Sequence, residues 1–128
     1  MKNEERNLQM FVFDLLRFHG IDGLIAFHPF NEAKRAVRSK GFYQRLGMYP
    51  GIADVVLVHP LKGIVFFIEL KSPTGRLSTD QRKFQDECLK YAHYHEVAST
   101  AEQAANILDC WGMLKSNPLG KTNVSRAI

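Results

Sequence analysis

At 128 residues, 45% hydrophobic and 23% charged, the chain has the length of one domain and apolar content enough for a core, which excludes a disordered or collagen-like protein. Its formal net charge of +4 is compatible with a polyanionic partner without establishing one. No apolar run approaches membrane-spanning length and Met1 to Arg6 lacks the pattern of a secretory leader, so no membrane role is expected.

Residues 4 to 19 read as an amphipathic helix. Leu8, Phe11, Val12, Leu15, Leu16 and His19 recur at helical spacing, Asn3 is placed to cap the start, and Gly20 follows as a stop. Glu4 and Glu5 in the first turn have an ordinary reading as helix-dipole acids. Leu24 to His28 is a short strand ended by Pro29. Residues 31 to 45 hold five basic residues (Lys34, Arg35, Arg38, Lys40 and Arg45) against the single acid Glu32, without clear periodicity. They read as a long loop, with room for a helical turn. Basic residues interleaved with Phe42 and Tyr43 suit phosphate contact and base stacking, although a solvated basic loop has the same composition.

The stretch from Gly51 to Gln81 carries the chemistry. Two apolar strand-like runs, Ala53 to Val58 and Ile64 to Lys71, are joined by a hairpin turn at His59 to Gly63. Asp54 opens the first run, and Glu69 and Lys71 close the second on one shared face, with Leu70 on the other. Both faces of the second run are apolar before Glu69, as in a central strand covered on both sides. Ionised groups in such a place are costly unless paired or metal-bound. Two readings compete. Glu69 and Lys71 pair with each other at a strand end while Asp54 caps a turn; or Asp54 and Glu69 hold a hard divalent cation, with the Leu70 backbone carbonyl as a third oxygen and Lys71 holding or deprotonating a water or stabilising phosphorane-like charge.

Ser78-Thr79-Asp80-Gln81 is a capping box that opens a helix to about Tyr91, burying Phe84, Cys88, Leu89 and Ala92. His93 to Ala98 follows as a last strand. Ser99-Thr100-Ala101-Glu102 repeats the capping-box pattern before a helix with Ala104, Ala105, Ile107, Leu108 and Trp111 on its buried face. From Gly112 the chain turns polar and is expected to be an extended tail, so residues 1–111 would form the domain and 112–128 a tail. Cys88 and Cys110 form no metal-binding or CxxC spacing and read as reduced packing residues.

Taken together, Glu5-x-x-x-Gln9, Asn31-Glu32, Gly51-Ile52-Ala53-Asp54, Ile68-Glu69-Leu70-Lys71 and Gly75-Arg76-Leu77-Ser78-x-x-Gln81 resemble the virus-type replication-repair nuclease (VRR-NUC) family of the PD-(D/E)xK superfamily. The resemblance spans roughly residues 4 to 111. It implies an α/β fold with a mixed sheet flanked by helices, Asp54 and Glu69 as ligands of Mg²⁺ or Mn²⁺, Lys71 as the catalytic lysine, and Gln81 assisting from the start of its helix. It also implies a first-helix acid in the metal shell, Glu5 by the register, with Glu4 its competitor. Ala53 departs from the proline that many relatives carry before the Asp. Asn31, Lys34, Arg35, Arg38, Lys40, Arg45 and Arg76 become the expected DNA contacts.

Stand-alone members of this size look like bacteriophage or bacterial enzymes, homodimers in the cytoplasm that cut four-way Holliday junctions. The expected function is thus a metal-dependent structure-specific endonuclease. Alternatives are a flap or single-strand nuclease, a DNA-binding module that does not cleave, or a small basic protein binding RNA or a protein partner.

Overall fold

The computed structural model describes residues 3–30 and 40–120. The apolar spacing of the first helix does what it dictates: in α1 (Asn3–His19) Leu8, Val12, Leu15 and Leu16 are buried on one stripe. Asn3 is already helical rather than a cap outside the helix, a one-residue difference at a terminus. The remaining elements are β1 (Ile25–Phe27), α2 (Lys40–Arg45), β2 (Val55–Val58), β3 (Val65–Leu70), α3 (Thr79–Lys90), β4 (Tyr94–Ala98) and α4 (Ala101–Cys110). The basic stretch read as a loop therefore ends in a six-residue helix. Residues 31–39, which hold its first three basic side chains, lie outside the described part.

Four strands form one mixed sheet in the order β1-β2-β3-β4. The β2–β3 hairpin is antiparallel with Val55 opposite Ile68, and β4 returns through α3 to lie parallel to β3. One sheet face, with Val55, Leu57, Phe66, Ile68 and Leu70, packs on α1 and α4 and forms the main core with Trp111. Among the described residues, the other face is covered at one end only. Phe84 of α3 packs perpendicular to Phe67 at 4.9 Å, whereas Val65, Ile25 and Phe27 on that face are exposed. The expectation of a central strand covered on both sides thus holds at the Glu69 end of β3 and fails at the Val65 end.

Three further expectations are corrected. In α3 only Phe84 and Cys88 are buried; Leu89 is 69% exposed and Ala92 lies beyond the helix. The α4 cap is Thr100, not Ser99: Thr100 Oγ1 accepts from Gln103 N–H, and Gln103 Oε1 reaches back to Ser99 N–H. The chain does not leave the core at Gly112 either, because Met113 and Leu114 are fully buried and the Met113 carbonyl accepts from Ile21 N–H. Two apolar residues in an otherwise polar stretch carry too little periodicity to reveal that docking. No helix among the described residues is long and apolar enough to cross a membrane.

α3 and α4 end in the same motif. After α4, Met113 N–H bonds to the Leu108 carbonyl and Gly112 N–H to the Asp109 carbonyl, with Gly112 at φ 74°. After α3, His93 N–H bonds to the Cys88 carbonyl and Ala92 N–H to the Leu89 carbonyl, with Ala92 at φ 59°. Left-handed backbone costs an alanine about 1–2 kcal/mol, partly offset by the freedom glycine loses on folding. Ala92→Gly is therefore expected to stabilise by about 0.5–1 kcal/mol and Gly112→Ala to destabilise by a similar amount, read as opposite shifts in the urea midpoint.

Candidate active site

The acidic hairpin expected from the sequence is present, and its register sets the geometry. With Val55 opposite Ile68, Asp54 falls beside the end of β3, where its Oδ2 accepts from Leu70 N–H at 2.9 Å. The carboxylate replaces a ladder bond that a backbone carbonyl would otherwise supply. Glu69, one residue earlier on β3, is 98% buried on the α3 side of the sheet. Lys71 continues past the strand, its N–H bonded to the Ala98 carbonyl of β4 at 3.0 Å, and its side chain returns to the Glu69 side.

The three charges share an electrostatic neighbourhood. Burial, then the Asp54 charge and a hydrogen bond with Asp54, push the Glu69 carboxyl up to about 9; Lys71 opposes this and Glu5 adds to it. Among the described residues no ion pair within 4.0 Å joins Lys71 to Glu69, so the reading of the two as a closed structural pair has no support in the geometry.

Gln81 reaches this cluster from α3. Its Nε2 donates to Glu69 Oε2 at 3.0 Å, while its Oε1 accepts from Ser78 N–H at 2.8 Å as one half of the capping box. One side chain therefore fixes the helix start and the carboxylate together. Gly51 makes this approach feasible: at φ 80° it passes so close to α3 that any Cβ would collide with the Asp80 carbonyl. Of the two first-helix acids, Glu5 turns inward and its Oε2 accepts from Ser72 N–H at 3.3 Å, while Glu4 stays exposed.

A second contact on Asp54 had no signal in the sequence. His28 Nδ1 lies 2.7 Å from the Asp54 carbonyl, 26 residues away along the chain. A histidine at a strand end before a proline has many ordinary roles, and only the β1–β2 register reveals its partner. Of the expected DNA contacts, Arg45 at the end of α2 and Arg76 in the loop after β3 are exposed, and Lys40 opens α2. Asn31, Lys34, Arg35 and Arg38 lie outside the described residues.

The donor set suits a hard divalent cation. Among the described residues no three His, Cys, Asp or Glu side chains form a ready-made cluster, but Mg²⁺ uses one or two carboxylates with water and substrate phosphate. Asp54 and Glu69 are two such groups side by side, joined without a cation by the proton that Glu69 keeps. Beside Glu5, the buried Gln9 Oε1 and Ser72 Oγ have no partner in the described structure, and hydrating water around a cation would supply one.

An α/β core whose central hairpin presents an Asp and a Glu-x-Lys at one sheet end, with a helix and its glutamine closing over them, defines a nuclease of the PD-(D/E)xK type. A family model, the VRR-NUC domain, matches residues 31–110, and the chain belongs to that family. Two solved structures share the fold. One, titled VRR_NUC domain protein, is 13% identical with a TM-score of 0.63, covering 98% of each chain. The other, titled VRR_NUC domain, is 16% identical with a TM-score of 0.58 over 84% of this chain and 97% of that one. No curated protein matches.

Proposed function

We propose that the chain is a Mg²⁺- or Mn²⁺-dependent, structure-specific DNA endonuclease of the stand-alone phage or bacterial type, resolving four-way Holliday junctions as a cytoplasmic homodimer. The observation that carries the reading is the pairing of Asp54 and Glu69 at one sheet end with Lys71 beside them and, among the described residues, no closed ion pair to hold that lysine. Asp54, Glu69, the Leu70 carbonyl and, from the first helix, Glu5 would hold the cation. Bound there, it would activate water and offset charge on the scissile phosphate. Lys71 orients the attacking water and donates to the phosphate oxygens as charge grows. Gln81 keeps Glu69 from turning away from the site. One chain carries one such site, so cutting two strands symmetrically calls for two copies across a two-fold axis.

Arg45, Arg76, Lys40, Asn31, Lys34, Arg35 and Arg38 would meet phosphates. Neutralising Lys34, Arg35 and Arg38 together is expected to weaken DNA binding and flatten the salt dependence by up to about 2.7 in logarithmic slope, at roughly 0.9 per lost contact. An unchanged slope removes this stretch from the interface.

The function itself is tested by cleavage of labelled four-way, flap, single-stranded and duplex DNA with Mg²⁺, Mn²⁺ or EDTA, beside Asp54→Ala. Symmetrical metal-dependent nicking of the junction, absent in the variant, is expected. Cleavage of flaps or single strands alone would discard the junction and keep the chemistry. Binding without any cleavage would leave a DNA-binding module.

A further inference from the structure

Besides its hydrogen bond with the Glu69 carboxyl, Asp54 is held at two backbone-linked points, and only one of these comes from the strand that carries Glu69. Leu70 N–H fixes its carboxylate; His28 fixes its main-chain carbonyl. A carbonyl oxygen can only accept, so Nδ1 of His28 must carry the hydrogen, which sets the tautomer of the neutral ring. We propose that His28 is a positioning residue for Asp54, holding the peptide after it so that its carboxylate stays turned toward Glu69. The inference rests on the reading of Asp54 as a metal ligand.

The local sequence explains why a side chain performs this task. β1 pairs with β2 only through Phe27 opposite Val56, so the ladder ends two residues short of Asp54. Pro29 has no N–H with which to continue it, and it holds the preceding His28 extended. The imidazole therefore makes the last link between β1 and the head of β2. It lies half-buried against an equally half-buried Asp54. With the imidazole gone, no other described hydrogen bond holds that carbonyl, and the peptide between Asp54 and Val55 is held only from the β3 side, where Val55 pairs with Ile68, so it can tilt. Tilting there swings the carboxylate as well, because both hang from the same Cα. Groups that orient metal ligands typically change metal affinity by about 10–100-fold when removed.

His28→Asn and His28→Leu separate the hydrogen bond from the bulk. Both keep a branched Cγ, but only asparagine carries a donor where Nδ1 stood. Mn²⁺ binding to the full chain, followed by calorimetry without DNA, is expected to weaken about 10–100-fold in His28→Leu and by no more than roughly threefold in His28→Asn. With saturating Mn²⁺, cleavage by His28→Leu falls in kcat while KM for DNA stays within roughly twofold. Equal Mn²⁺ affinity in His28→Leu and the unaltered chain overturns the proposal. So does a loss in His28→Asn as large as in His28→Leu, and His28→Ala, which also lacks the donor, takes the place of the leucine variant if that one does not fold. If the unaltered chain binds no Mn²⁺ at all, the metal-site reading falls and this inference falls with it; normal Mn²⁺ binding unaffected at His28 refutes only the positioning role.

Discussion

Lys71→Ala is expected to lower kcat for junction cleavage by about 10²–10⁴-fold, the range for removing a positioned proton-transfer or charge-stabilising group. DNA affinity should change little, because one lysine at the reacting phosphate is a small part of a multi-phosphate interface. Stability should stay within about 0.5 kcal/mol, as for a substitution outside the core. Lys71 is half-buried, its backbone bond to Ala98 does not involve the side chain, and no described ion pair depends on its Nζ. If Glu69 instead relied on Lys71 as a structural partner, removing the lysine would leave an uncompensated buried charge and cost about 3–5 kcal/mol. A variant that melts far below the unaltered protein would support that structural role and sink the catalytic one. Lys71→Arg should not restore cleavage, because a planar guanidinium cannot take the place of a compact ammonium in a closed site.

Glu69→Gln should separate stability from activity. In the cation-free protein the folded Glu69 carboxyl lies at about 9, well above its ordinary 4.5. Between those values the unfolded chain has released a proton that the folded chain keeps. The unfolded state then binds fewer protons, so the stability this group contributes is complete below pH 4.5 and is lost as pH rises toward about 9. Glutamine carries no charge to desolvate and still accepts from Gln81 Nε2. Glu69→Gln is therefore expected to flatten that decline and to melt higher than the unaltered protein at pH 8 without metal, by a few degrees for about 1 kcal/mol. Cleavage should fall by at least about 10³-fold with loss of a ligand. Adding Mn²⁺ should reverse the ranking, because a ligand that binds only the folded form stabilises it by mass action, and the variant has lost that site. A Glu69→Gln protein that is less stable at pH 8, or one that still cleaves, would contradict the reading.

Both outcomes turn on how charges sit at the end of β3, and the residue types there were legible in the chain. An Asp heading one apolar run and a Glu-x-Lys closing the next can meet only if the runs pair as a hairpin, and the His59 to Gly63 turn makes that pairing local. The Ser78 capping box was equally legible, since it joins residues three apart. Less legible was that Gln81 serves the cap and Glu69 at once, because its second bond spans 12 residues and needs α3 folded back over the sheet. The α4 cap shifted by one residue because Ser99 and Thr100 offer the same hydroxyl, and only the backbone turn selects between them. By type Leu89 belongs in a core, yet its face of α3 meets solvent, since that helix covers only one end of the sheet.

What the sequence by itself determined is therefore the local chemistry: the order of the elements, the acidic hairpin, the lysine beside it and the helix start that follows. Those features depend on periodicities and caps acting over a few residues. What only the tertiary structure decided is which distant groups meet there: Glu5 rather than Glu4 against Ser72, Gln81 on Glu69, and His28 on the Asp54 carbonyl. The physical reason is range. A strand or helix period specifies which face a side chain takes, but a hydrogen bond at 3 Å between residues 12, 26 or 67 positions apart exists only once the sheet register and helix packing have set their separation.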